Sequence, residues 1–163
     1  MTPMAHRVYL GLGTNLGDRQ ENLQAAVKAL SPKVIVLRGS PVYETDPWGY
    51  TQQPTFLNQV LEAETGLEPL KLLAHVKALE TRLGRTPTFH YGPRLIDIDI
   101  LLYNSLILQT PELVIPHPHL TERAFVLIPL ADLAPDLKIP GSERTIGELS
   151  NTCDRSSIRP FAY

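Results

Sequence analysis

Gly92-Pro-Arg-Leu-Ile-Asp-Ile-Asp-Ile-Leu-Leu-Tyr103 sets two acids into a run of Ile and Leu. The second half is apolar enough to read as a strand in the middle of a sheet. Side chains alternate along a strand, so Asp97 and Asp99 share one face, roughly 6–7 Å apart at about 3.3 Å per residue. Ile96, Ile98 and Ile100 take the other face. Two like charges side by side on a buried strand are unfavourable unless one is protonated or a positive group lies between them. A divalent cation is such a group, and oxygen-only ligands favour Mg²⁺ or Mn²⁺. Arg94, three positions before Asp97, is placed to meet a phosphate held by the same metal. A solvent-facing strand surface would accommodate the same two acids, and the motif by itself leaves both readings open.

The totals frame what surrounds this strand. The chain has 163 residues, enough for one domain with a full core; residues 7–150 read as the core of a single 1–163 domain and 151–163 as a polar tail. Hydrophobic residues are 43% and charged residues 20%, the balance of a globular protein. A net charge of −2 gives no global attraction to nucleic acid or anionic membrane. Cys153 is the single cysteine, which excludes an internal disulfide and a cysteine zinc cluster and suits a reducing compartment. The first residues lack the apolar segment of a secretory signal, and no apolar run reaches the length of a membrane span. The expected location is the cytoplasm.

Upstream, Val8 to Leu12 reads as a first strand entering a glycine-rich turn, Gly11 to Gly17. Asp18 with Glu21 resembles a capping box, and Leu23, Ala26, Val27 and Leu30 repeat at helical spacing up to Ser31-Pro32. The glycines fit neither a Walker A loop nor the dinucleotide fingerprint, so turn chemistry is the reading kept. Val34 to Leu37 predicts a second strand running on past Gly39 to Tyr43. Glu44 to Thr55 is a long loop with the only Trp, and Phe56 to Glu64 a further strand. Pro69 opens a helix with the stripe Leu72, Val76, Leu79 and Leu83, and Gly84 stops it. Arg85 to Tyr91 is a loop leading into the acidic strand.

Downstream, Asn104-Ser105 predicts a hairpin turn and Leu106 to Leu108 a return strand. Val114-Ile-Pro-His-Pro-His119 is extended, and no other His or Cys pattern completes a zinc shell around its histidines. Thr121 and Glu122 open a helix with Arg123 and Phe125, which Pro129 should kink or restart. A short helix is expected at Thr145 to Leu149. The order βαββαβ predicts an α+β, ferredoxin-like core: a mainly antiparallel sheet, helices on one face, and a C-terminal helical and loop extension over part of the other.

With these elements in order, the chain resembles the 6-hydroxymethyl-7,8-dihydropterin pyrophosphokinase family from about Val8 to Leu149. The pieces are Tyr91-Gly-Pro-Arg-Leu-Ile-Asp-Ile-Asp-Ile-Leu101, Gly11-Leu-Gly-Thr-Asn-Leu-Gly-Asp18, Tyr43-Glu-Thr-Asp-Pro-Trp-Gly49, Phe56-Leu-Asn58, Leu83-Gly-Arg85, and Pro116-His-Pro-His-Leu120 with Arg123-Ala-Phe125. No one of them suffices; the ordered set is specific. The resemblance implies pyrophosphoryl transfer from ATP to the pterin hydroxymethyl oxygen, with release of AMP, in tetrahydrofolate biosynthesis. It further implies that Asp97 and Asp99 hold two Mg²⁺ ions and that Arg85 and Arg94 are catalytic with them. Lys77, Glu80, Arg85, Arg94, Ile100, His117 and Arg123 match positions on the ATP side. Thr45, Asp46, Trp48, Phe56, Asn58 and Phe125 match positions on the pterin side. Phe56 and Phe125 would otherwise read as core; only the family register makes them a stacking pair. The implied partners are ATP and the pterin, with no nucleic acid or membrane, and a monomer is expected.

The chain also departs from the family pattern. His90 and Tyr91 stand where relatives carry Arg and Trp, which weakens the loop's attraction for phosphate or makes it pH-dependent. Lys77 and Pro118 are further changes, and neither touches the acidic pair. Two other readings remain: a nucleotide or pterin sensor without turnover, and a metal-dependent nucleotidyltransferase releasing pyrophosphate. Metal-independent binding would favour the first, and pyrophosphate instead of AMP the second.

Overall fold

The computed structural model describes residues 6–84 and 95–162. Arg85, His90, Tyr91 and Arg94 lie outside them. The chain runs β1 (His6–Thr14), α1 (Arg19–Leu30), β2 (Val34–Gly39), β3 (Tyr43–Thr45), β4 (Phe56–Thr65), α2 (Pro69–Arg82) and β5 (Asp97–Tyr103). There follow β6 (Leu108–Gln109), β7 (Val114–Ile115), α3 (Ala124–Leu133), α4 (Ile146–Thr152) and β8 (Ile158–Pro160). Six strands form an antiparallel sheet in the order β5-β1-β4-β3-β8, and β2 pairs the far half of β4. This is the expected α+β, ferredoxin-like arrangement.

Period-two alternation divides the sheet into two faces. Val8, Leu10, Leu12, Leu57, Leu61, Ile98 and Ile100 meet Leu23, Ala26 and Leu30 of α1 and Leu72, Val76 and Leu79 of α2. Tyr9, Val60 and Leu102 meet Val126, Leu127, Leu130 and Leu133 of α3, with Ile146 of α4. Each buried Val, Leu or Ile side chain among them contributes about 1.5–3 kcal/mol by leaving water. The helix ends follow the expected chemistry. The Asp18 carboxylate accepts the Glu21 amide at 3.1 Å, Pro69 opens α2, and Gly84 closes it at φ +97°. No helix of the described residues is long and apolar enough to cross a membrane.

Several expectations need correction. β5 is an edge strand of the sheet, not a central one. Its apolar character arises because its outer edge is covered: the Glu80 carboxylate accepts the Ile98 amide at 2.7 Å, and the His117 amide donates to the Leu101 carbonyl at 3.0 Å. The stretch 34–43 is not one strand. Ser40 breaks it, its amide donating to the Val60 carbonyl while its hydroxyl accepts the Val60 amide, both at 2.9 Å. β1 does not turn at Gly11; it runs through both Gly11 and Gly13 to Thr14. The turn at Asn104 forms, but the return segment pairs with β7 instead of β5. α3 runs on through Pro129 to Leu133. The stretch read as a polar tail adds β8 to the sheet beside β3 and packs Phe161 against the core.

Candidate functional site

β1 supplies a gap in the side-chain layer on its α3 face. Gly11 and Gly13 lie between apolar neighbours at period two, and register sets them opposite Asp99 and Asp97 on β5. On the other side Gly13 pairs with Asn58 and Gly11 with Val60 of β4. A Cβ on Gly13 would stand 3.1 Å from the Asn58 amide nitrogen, so absence of a side chain is what lets Asn58 lie over the strand. The result is a cavity of about 300 Å³ running from the aspartates across two glycines to the amide.

At one end the cavity is lined by Asp97, Asp99, Leu101, His117, His119 and Arg123. The Asp99 carboxyl is held well above the usual carboxylate range, first by burial and then by the Asp97 charge; Arg123 and Lys77 oppose this. Two oxygen-donor groups that disfavour each other's charge fit a hard divalent cation, which would keep waters and take further oxygens from a phosphate. Among the described residues no group of three or more His, Cys, Asp or Glu is arranged to hold a metal. The His119 amide donates to His117 Nδ1 at 3.1 Å, so the neutral ring carries its hydrogen on Nε2. Nε2 lies 3.9 Å from Asp99 Oδ2. Burial, Arg123 and His119 push the His117 pKa down to about 4, so the ring is neutral at pH 7 and offers a donor, not a charge.

Arg123 is 9% exposed, and its guanidinium stacks on Trp48 at 4.5 Å and on Phe125 at 5.4 Å. Its Nε is buried with no hydrogen-bond partner among the described residues. It joins the acidic end to the other end, where Thr45, Asp46, Trp48, Phe56, Asn58, Gln59, Phe125 and Val126 line the wall. The Thr45 hydroxyl donates to Asn58 Oδ1 at 2.7 Å, which turns the Asn58 NH₂ into the cavity beside Gly13. Aromatic faces with one fixed amide suit a flat heterocycle that has hydrogen-bonding edges.

Ten residues singled out from the sequence therefore meet in one cavity: Thr45, Asp46, Trp48, Phe56, Asn58, Asp97, Asp99, His117, Arg123 and Phe125. Lys77, Glu80 and Ile100 are not among its lining. Ile100 is 4% exposed and belongs to the core behind β5. Glu80 is 1% exposed, with one oxygen on the Ile98 amide and the other 3.3 Å from Lys77 Nζ. Arg85 and Arg94 lie outside the described residues. Sequence reasoning missed Gly11, Gly13, Gln59, Leu101, Pro118, His119 and Val126. The signal for the glycines was present in Leu10-Gly-Leu-Gly13, an alternation of strand period.

A family model described as 7,8-dihydro-6-hydroxymethylpterin-pyrophosphokinase matches residues 9–135. The chain is 45% identical over 157 residues to the 2-amino-4-hydroxy-6-hydroxymethyldihydropteridine pyrophosphokinase of Pseudomonas aeruginosa, covering 95% of this chain and 96% of that one. It is 45% identical over 132 residues to the Bacillus subtilis protein of the same name, covering 80% and 79%. With the folic acid synthesis protein FOL1 of Dictyostelium discoideum it shares 44% over 133 residues, 82% of this chain and 20% of that protein. Among solved structures, wild-type Plasmodium falciparum HPPK-DHPS with pterin and p-hydroxybenzoate superposes with a TM-score of 0.72. At 18% identity this match shows the fold alone; it covers 90% of this chain, which spans 41% of that one.

Proposed function

Because the chain belongs to the 7,8-dihydro-6-hydroxymethylpterin-pyrophosphokinase family, we propose that this cavity is divided between the two substrates of pyrophosphoryl transfer. The enzyme is an ATP-dependent diphosphotransferase of folate biosynthesis. It moves the pyrophosphoryl group of ATP onto the hydroxymethyl oxygen of 6-hydroxymethyl-7,8-dihydropterin and releases AMP. The observation that carries the division is the row Asp97–Gly13–Asn58 across three strands, with carboxylates at one end and an amide among aromatics at the other.

Asp97 and Asp99 would hold Mg²⁺, two ions in this reading, which when bound neutralise phosphate charge and polarise the phosphoryl oxygens. His117 offers its Nε2 hydrogen, and Arg123 its guanidinium, to phosphate oxygens at that end. Arg85 and Arg94 are proposed, from the family register, to contact the triphosphate. Lys77, half exposed on α2, is kept on the nucleotide side; Glu80 acts through the strand, and Ile100 backs it from the core. At the acceptor end Phe56 and Phe125 take the ring faces, Asn58 reads the ring edge, and Thr45 fixes that amide. Asp46 and Trp48 close the wall. The acceptor's own hydroxyl is the nucleophile, so the protein contributes position and charge compensation and needs no nucleophilic side chain. The net charge of −2 supports small-molecule partners over nucleic acid or membrane, and a cytoplasmic monomer is kept as the expectation.

The test is nucleotide product analysis with ATP, Mg²⁺ and the pterin. AMP that requires both pterin and metal, and disappears in Asp97→Ala, is the result expected. ADP as the product would contradict attack at the β-phosphorus.

A further inference from the structure

The loop that brings Asp46 and Trp48 to the cavity leaves β3 at Thr45 and returns to β4 at Phe56, and its neck is bridged by charge. Glu44 stands just before it. Its Oε2 lies 3.0 Å from Arg19 Nη2 and accepts the Thr55 hydroxyl at 3.2 Å. Arg19 Nη1 also donates to the Thr55 carbonyl at 3.2 Å and lies 3.1 Å from its Oγ1. The residues flanking the loop are thereby tied to each other and to the first residue of α1. On the outer side Arg159 of β8, opposite Glu44 in the strand pairing, lies 3.4 Å from Glu44 Oε1 and 3.2 Å from Asp46 Oδ1. The Asp46 amide donates to the Ser157 carbonyl at 2.9 Å. The hydrogen bond from Arg19 holds the Glu44 carboxyl below its usual range, so it stays ionised at neutral pH.

An isolated exposed ion pair contributes little. Here, however, Glu44 and Arg19 are each about three-quarters buried, and one carboxylate joins two arginines and a hydroxyl from three separate segments, α1, β8 and the 46–55 loop. None of Arg19, Glu44 and Arg159 lines the cavity. Arg159 lies beyond the residues that the family model matches. We propose that Glu44 is a positioning residue for the acceptor end: the hub through which Arg19 and the C-terminal strand hold the 46–55 loop, and Phe56 after it, in binding geometry. The proposal rests on the assignment of the acceptor end given above. A site held by residues whose own positions are locked loses affinity when the supporting groups are removed, even though the contacting groups remain.

The experiment is steady-state kinetics on Glu44→Ala, Glu44→Gln and Arg159→Ala, varying each substrate separately, with Asn58→Ala as the reference for the acceptor end. Glu44→Ala should raise KM for the pterin about tenfold while KM for ATP and kcat stay within about twofold. Glu44→Gln, which keeps an acceptor for Arg19 and Thr55, should fall between it and the parent. Arg159→Ala should reproduce part of the effect and, in the double variant, add less to Glu44→Ala than it costs alone, the remainder being its own contact to Asp46. A fall in Tm with both KM values unchanged, or both raised equally, would make Glu44 a merely structural residue and overturn the proposal. If Asn58→Ala raises pterin KM and Glu44→Ala does not, the clamp alone is wrong. If neither moves it, the acceptor end is misassigned and the proposal falls with it. Should Glu44→Ala fail to fold, Arg159→Ala at the exposed end of the network carries the same comparison.

Discussion

The Glu80 carboxylate on α2 accepts the backbone amide of Ile98 at 2.7 Å, and Ile98 is the residue that separates Asp97 from Asp99. A buried acid on one element thus fixes the edge of the strand that carries the two half-buried acids of the cavity. Glu80→Ala leaves that amide without its acceptor, a loss of about 1–3 kcal/mol for a buried donor. It also loosens the spacing on which the carboxylate pair depends. We expect Glu80→Ala to lower Tm and kcat together, and Glu80→Gln, which keeps an acceptor, to lower both less. Thermal unfolding and turnover measured on the same preparations check this; an unchanged kcat in a destabilised Glu80→Ala would limit the residue to stability.

Gly13 is opposite Asp97 on one side and Asn58 on the other. The extended backbone of β1 accepts alanine without strain, so the effect of Gly13→Ala is steric and falls on Asn58, 3.1 Å from the new Cβ. The variant should fold with little loss of stability and show a pterin KM raised several-fold, on the order of the cost of one displaced polar contact. KM for ATP should hold. Equal shifts in both KM values would show that the strand itself had moved.

Glu62 supplies a pH dependence on the same face of the sheet, farther along β4 from Asn58. It is 6% exposed, accepts the Tyr9 hydroxyl at 2.8 Å, and holds Arg38 at 3.1 and 3.0 Å. Arg38 in turn donates to the Leu133 carbonyl at the end of α3. The hydrogen bond from Arg38 lowers the Glu62 pKa below its ordinary 4.5. A depressed carboxyl contributes stability that is complete above the unfolded value and is lost as pH falls through the folded one. Unfolding free energy should therefore decline below about pH 4.5, and Glu62→Gln should be less stable at pH 7 but flatter across that acid range. Parallel curves for the two proteins would rule out this linkage.

How much of this was legible in the sequence depends on the range of the interaction involved. Asp97 and Asp99 were readable as neighbours on one face because strand alternation is a local rule. That β5 lies at the sheet edge was not, since the groups covering it, Glu80 and His117, come from distant parts of the chain. Gly11 and Gly13 were read as a turn because glycine serves turns and close approaches alike; only pairing with Asp99, Asp97 and Asn58 distinguishes the two. Ile158-Arg-Pro160 carries no strand signal of its own and becomes one by pairing with β3. Phe56 and Phe125 follow an ordinary core pattern, and nothing local separates a stacking wall from a packed one.

The central claim is that Asp97 and Asn58 stand at opposite, separable ends of one two-substrate cavity. The direct measurement is Mn²⁺-dependent binding of a non-hydrolysable ATP analogue to the parent chain, Asp97→Asn and Asn58→Ala, followed by titration calorimetry with the metal's paramagnetic resonance as a second readout. The parent and Asn58→Ala should bind the nucleotide with the same metal dependence, and Asp97→Asn should lose it. Metal-dependent binding retained in Asp97→Asn, or lost in Asn58→Ala, would contradict the division of the site.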